Sequence, residues 1–197
     1  MNFSGHFRTI NHHKKLVTQM CFKVGLYKQG ILHDLSKYHP IEFFPGGLYY
    51  QGTRSPISRE KEINGYSQGW LHHKGRNKHH FEYWIDYVPV KAEDGKISVE
   101  LAGVKMPKKY VAEMCIDRIC ASKNYQKEAY RDRSALEYYM RGHKEILIND
   151  ETDQLTIYLL TMLADKGEEY FIQYVKKTLL KHRNRDYHMK NGELTLD

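Results

Sequence analysis

Apolar positions at the start of the chain recur at spacings of three and four. From Ser4 to about Gly25, Phe7, Ile10, Leu16, Val17, Met20, Cys21 and Val24 share one face of a helix, with Ser4 as its N-cap and Gly25 as its stop. A short helix then follows Gly30 through Ile31, Leu32, Leu35 and Tyr38, and it ends by Pro40 because the residue before a proline is pushed out of helical geometry. This places His33 and Asp34 inside a short helix. The stretch PIEFFPGGLYYQGTRSP is punctuated by Gly, Pro and Ser and reads as an ordered, aromatic-rich loop with at most a helical turn. Residues 58–73 read as an interrupted helix with Glu60 and Glu62 at its favoured positive end, and Gly75 and Asn77 weaken it beyond that. HHFEYWIDY reads as a short helix or turn.

Over about residues 88–106 the period changes to strict alternation around Asp94-Gly95, the signature of a β-hairpin. Pro107 opens a new helix in which Tyr110, Val111, Met114, Cys115, Arg118 and Ile119 continue to about Ala121, with Asp117 one turn after Glu113. Further helices are expected over 134–144, 152–164 and 168–182, with Gly167 separating the last two. Leu155, Leu159, Leu160, Met162 and Leu163 offer an apolar face to a partner chain, and the polar tail RNRDYHMKNGELTLD, about 184–197, reads as loose. Without a repeat or linker, the pattern predicts one all-α domain over 1–197, a helical bundle with a small β-hairpin insertion.

Composition narrows the chemistry. No apolar run approaches the roughly 20 residues that span a bilayer, and MNFSGHFRTINHHKK lacks a signal peptide's apolar stretch. A cytoplasmic protein without membrane attachment is expected. Cys21, Cys115 and Cys120 are odd in number and lie among apolar residues, as reduced, buried thiols do. A net charge of +7 attracts anions such as nucleotides, phosphate esters or nucleic acid. P-loop, dinucleotide-binding and Gly-x-Ser-x-Gly patterns are missing from the sequence. Eight of the twelve histidines are clustered, at His12 and His13, at His33 and His39, and at His72, His73, His79 and His80.

Adjacent helical residues point about 100° apart, so His33 and Asp34 share an ion only if distant elements complete the coordination. His13 and Asp117 are candidates for that role. Imidazole and carboxylate together suit Mn, Fe, Co, Ni or Zn better than Ca. The segment ILHDLSK resembles the HD superfamily of metal-dependent phosphohydrolases, which combine a His, a His-Asp pair and a distal Asp, often with a Lys three residues after the first Asp. The phrases GILHDLSKYHPIEFFPGGLYYQGTRSP, WLHHKGRNKHHFEYW and MPKKYVAEMCIDR further resemble a bacterial and phage-associated family of small HD-like proteins.

The resemblance implies an HD-domain-like bundle with His13, His33, Asp34 and Asp117 as metal ligands, His13 being favoured over His12. It also implies catalytic roles for Asp34 and Lys37. The second histidine cluster departs from mononuclear HD enzymes and raises the expectation of two ions. In an unbroken helix His73 and His80 would lie about 10.5 Å apart along the axis, so a break at KGRN is needed to bring His72 or His73 together with His79 or His80; His73, His79 and His80 are the favoured ligands. Arg54 and Arg76 are expected to meet phosphoryl oxygens and Tyr50, or Tyr49, to line the substrate pocket. The other aromatics are assigned to packing, and Arg118 to an ion pair with a neighbouring acid.

The resulting expectation is a phosphohydrolase or phosphodiesterase acting on a nucleotide or related phosphoester through metal-activated water. A di-iron oxygenase on the same scaffold and a non-catalytic nucleotide- or nucleic-acid-binding module are the competing expectations.

Overall fold

A computed structural model describes residues 1–182 and 184–197; residue 183, the first of the polar tail, lies outside the described residues. The chain is mostly helical. In order it forms α1 (Phe3–Lys23), α2 (Tyr27–Leu32), a 3₁₀ turn (Leu35–Tyr38), α3 (Pro40–Leu48), α4 (Pro56–Asn64) and α5 (Gln68–Lys74). A second 3₁₀ turn (Phe81–Trp84) leads into the antiparallel pair β1 (Ile85–Lys91) and β2 (Ile97–Gly103). Then come α6 (Lys108–Gln126), α7 (Ser134–Arg141), α8 (Asp150–Tyr174) and a second antiparallel pair, β3 (Tyr187–Lys190) and β4 (Glu193–Leu196). No helix among the described residues is long and apolar enough to cross a membrane.

The core forms where the apolar stripes of α1, α6 and α8 meet. Val17, Met20 and Cys21 of α1 pack with Val111 to Cys120 of α6 and with Leu155, Leu159, Leu160 and Leu163 of α8. These α8 leucines are fully buried against the chain's own core, so they leave no face for the partner expected there. α6 is central: buried side chains surround it, and one side of it can therefore carry acids toward a polar interior while the rest seals the core. The three thiols are free and buried. Burial raises all three, Cys115 to about 12, so they are protonated and unreactive.

Several local expectations are corrected. His33 and Asp34 do not lie inside a helix; α2 ends at Leu32, His33 is extended at φ −51 and ψ 125, and Asp34 is left-handed at φ 54. The segment after Pro40 is helix α3 rather than loop. Pro40 at its start needs no N–H partner, His39 caps it by accepting from the Ile41 N–H, and Glu42 favours its positive end. Gly46 and Gly47 let α1 approach: a Cβ on either would fall within 2.2 Å of the His6 ring or 2.0 Å of the Phe3 ring.

The first hairpin covers 85–103 rather than 88–106, and α6 runs on to Gln126. Gly167, at φ 81 and ψ 170, is non-helical and divides α8 into two helical stretches at a kink, as the sequence predicts. The tail is not loose. Asn191 and Gly192, both with positive φ, turn β3 into β4, and Tyr187 is fully buried with its hydroxyl 3.1 Å from Thr152 Oγ1.

Candidate metal centre

The interior face shared by α1, α3, α5 and α6 is polar. α1 supplies His13, one helical face away from its solvent side, and α6 supplies Asp117 and, one turn earlier, Glu113. Asp34 enters from the turn between α2 and the 3₁₀ segment, where the left-handed backbone redirects the side chain away from the helix axis. α5 ends at Lys74, and the chain reverses through Gly75 to Asn77, so His79 and His80 return toward His73. This is the break the spacing demands. His33, Asp34, His73 and His79 are each only 2 % exposed, a burial these polar groups tolerate only with strong partners.

Asp34 lies at the centre. Its Oδ2 is 3.3 Å from His33 Nε2 and 3.8 Å from His13 Nε2, and Asp117 Oδ1 lies 2.8 Å from His13 Nε2 and 3.4 Å from His33 Nε2. Its Oδ1 is 3.2 Å from His73 Nε2 and 3.4 Å from His79 Nε2, while His80 Nε2 is 3.0 Å from His73 Nε2. Two groups of donor atoms result, each compact enough to hold a metal ion: His13, His33, Asp34 and Asp117, and Asp34, His73, His79 and His80.

The donor set fits a divalent cation. Asp34 Oδ1 and Oδ2 and the Nε2 atoms of His13, His33 and His79 are buried without a well-formed hydrogen bond, although buried polar atoms are nearly always so paired; Asp34 Oδ2 and His13 Nε2 have only ion-pair contacts, to Lys37 and Asp117. The His73–His80 nitrogen separation is close to the ~3.3 Å between ligands about a tetrahedral ion with bonds of about 2.0–2.1 Å. Four carboxylates, Asp34, Glu42, Glu113 and Asp117, face this interior; Lys37 pairs with Asp34, and the histidine protons that balance the other acids are ones a bound cation would replace.

Burial alone would depress His33, but Asp34, Asp117 and Glu113 outweigh it and hold the imidazolium well above its ordinary range. Burial likewise opposes ionisation of Asp34, yet His33, Lys37 and His73 hold its carboxyl well below the usual carboxylate range. An ion binding here displaces the histidine proton. His80 is held well below its ordinary value by burial and by His79 and His73, so its ring is neutral and able to donate a lone pair. Burial, only partly opposed by the hydrogen bond to Asp117, lowers His13 as well.

Lys37 Nζ is 2.5 Å from Asp34 Oδ2, and its side chain is about a quarter exposed, between the carboxylate and solvent. Burial disfavours its charge, but Asp34 and Asp117 keep it protonated.

The expected phosphate ligands are placed differently from one another. Arg54 is exposed and doubly bonded to Glu62, at 2.5 and 2.7 Å, which occupies its guanidinium edge. Arg76 is exposed, bonds the His72 carbonyl and lines a cleft with Ser36 and Asn77, both of which bond His73. Tyr50 donates to or accepts from Thr9 Oγ1 at 2.7 Å and packs against His6, and Tyr49 bonds Asn64. Arg118 lies over the Tyr139 ring, and among the described residues it forms no close ion pair. His12 points away to Asn124.

Two residues went unassigned in the sequence. Glu42 holds His72 and His73 by their Nδ1 atoms at 2.5 and 2.7 Å, and Glu113 holds His33 by its Nδ1 at 3.0 Å. Glu113 is legible in the sequence, since a residue four before Asp117 shares its helical face; Glu42 is not, because the prolines and glycines of PIEFFPGGL hide its helix.

No curated protein and no solved structure matches the chain. A family model described as "Family of unknown function (DUF5662)" matches residues 2–162, a stretch that holds every candidate ligand from His13 to Asp117 and stops before the C-terminal hairpin. The chain therefore belongs to the DUF5662 family.

Proposed function

We propose that this protein is an HD-type, two-metal phosphohydrolase that cleaves a phosphoester of a nucleotide or a related small molecule. The observation that carries the reading is the division of Asp34: its two buried oxygens face two separate groups of imidazole and carboxylate atoms. A carboxylate shared in this way suits a pair of ions, and paired ions about 3.5–4 Å apart recur in enzymes that displace at phosphorus. When bound, such ions supply Lewis acidity and lower the pKa of water toward neutrality.

The chain's own residues set the rest. His13, His33 and Asp117 would hold one ion, His73, His79 and His80 the other, and Asp34 both. Three imidazoles with a carboxylate, and two imidazoles with two carboxylates, favour Mn, Fe, Co, Ni or Zn. Lys37 keeps its charge beside Asp34 with part of its length in solvent, where it can meet a phosphoryl oxygen as a compact cation. The basic balance of the chain favours approach of an anionic substrate.

The test is a panel of nucleoside mono-, di- and triphosphates and cyclic dinucleotides with Mn, Co, Ni, Fe or Zn, following phosphate release and metal per chain. Metal-dependent release, lost in Lys37→Ala with metal content retained, is expected. Two irons per chain with oxygen-dependent turnover and no phosphoesterase activity would overturn the proposal in favour of an oxygenase.

A further inference from the structure

Behind the inward-facing donors lies Glu113, 4 % exposed and unused by the proposed reaction. Its Oε1 is 3.0 Å from His33 Nδ1 and 3.3 Å from His79 Nδ1. The two rings lie side by side, with centroids 4.3 Å apart and planes 33° apart, so both Nδ1 edges face the same oxygen. His33 belongs to one group of donors and His79 to the other. A closed ring of four side chains follows: Asp34 Oδ2 to His33, His33 to Glu113, Glu113 to His79, and His79 back to Asp34 Oδ1, with separations of 3.3, 3.0, 3.3 and 3.4 Å.

We infer that Glu113 is a positioning residue common to both ion sites, a carboxylate that fixes the donor tautomer of one imidazole in each and so couples their occupancy. This rests on the two-metal reading. A neutral imidazole has one N–H and one lone pair. With each Nδ1–H donated to Glu113, the lone pairs of His33 and His79 sit on Nε2, the atoms turned toward Asp34. An outer carboxylate of this kind orients the ring and raises its basicity, and its loss costs about 10–100-fold in metal affinity. Asp34 joins the two sites from inside, and Glu113 joins them from outside.

Glu42 provides the contrast. It is equally buried, yet among the candidate ligands it touches only His73, its other oxygen being taken by His72. Its effect is confined to one site. The Nδ1 atoms of His33 and His79 with Glu113 are themselves close enough to hold an ion. A neutral ring cannot offer both nitrogens as lone pairs, so that outer group competes with the inner ones; in both rings it is the inner Nε2 atom that is buried without a hydrogen bond.

The experiment is cobalt titration of the full chain, followed by visible absorption and by metal counted per chain, in wild type and in Glu113→Gln, Glu113→Ala and Glu42→Ala. Glu113→Gln retains an acceptor oxygen of the same shape, so it guards against misfolding of the Ala variant; circular dichroism of each metal-free chain checks the fold. Wild type is expected to bind two cobalt ions. Both affinities fall together by about 10-fold or more in the Glu113 variants, whereas one falls in Glu42→Ala. Long-range ¹H–¹⁵N correlation in the zinc-loaded wild type should show His33 and His79 as Nδ1–H tautomers, a readout that mere structural support would not set. If wild type binds two ions and Glu113→Gln weakens neither or only one, the coupling role is overturned while the two-metal reading stands. Loss of a separate third ion in Glu113→Gln, with two retained, also overturns it. Failure of wild type to bind any divalent ion overturns the two-metal reading and this role with it.

Discussion

Asp34 occupies a left-handed backbone conformation that most side chains resist by about 1–2 kcal/mol and that Asp and Asn tolerate best. Asp34→Asn therefore separates charge from backbone. The backbone should survive, with the circular dichroism of the metal-free chain unchanged, while metal per chain drops because an amide cannot bridge two cations as a carboxylate does. Retention of full metal content would remove Asp34 from the centre. His6 tests a different contribution. Burial, with a smaller effect of Lys37, lowers it from 6.5 to about 4, and its Nδ1 has no partner. Between those values the unfolded chain binds a proton that the folded chain refuses, so stability falls as pH drops from about 6.5 toward 4 and is unaffected by His6 above that window. His6→Gln should show a smaller loss of urea midpoint between pH 7.5 and 5 than wild type; an equal loss would exclude the effect.

At the level of elements, legibility followed the strength of the local signal. The helical stripes of α1 and α6 and the Asp94-Gly95 hairpin could be read directly, since burying one face imposes a period that sequence displays. α3 could not, because two prolines and two glycines mask a helix whose start suits Pro40 and whose glycines serve the close approach of α1. The C-terminal hairpin was announced by Asn191-Gly192 but passed over because its surroundings are polar. Its anchor is Tyr187, which packs beneath Lys105 and bonds Thr152. Tyr187→Ala should destabilise the chain by about 3 kcal/mol or more in urea unfolding, as truncation of a buried aromatic does. A change under about 0.5 kcal/mol, ordinary for surface positions, would mean that the tail is loose after all.

For the whole molecule, the candidate centre ties α1, α5 and α6 to the turn after α2, so ligand binding and folding are linked. Anything that binds the folded chain alone stabilises it by RT ln(1 + [L]/Kd), about 2.7 kcal/mol at a hundredfold excess over Kd. Chelation should lower the unfolding temperature, and readdition of Zn or Mn should restore it; an unchanged temperature in calorimetry would show that no ion is bound. The residue types able to hold a metal, the helical stripes that carry His13 and Asp117, and the need for a break between His73 and His80 were determined by sequence alone, because they depend on side-chain chemistry and local periodicity. Tertiary structure decided that the two Asp34 oxygens face different groups, that Glu113 stands behind both, and that Glu62 takes the Arg54 guanidinium. Those relations join residues far apart along the chain, and only the packing of α1, α5 and α6 around a buried polar interior sets the distances between them.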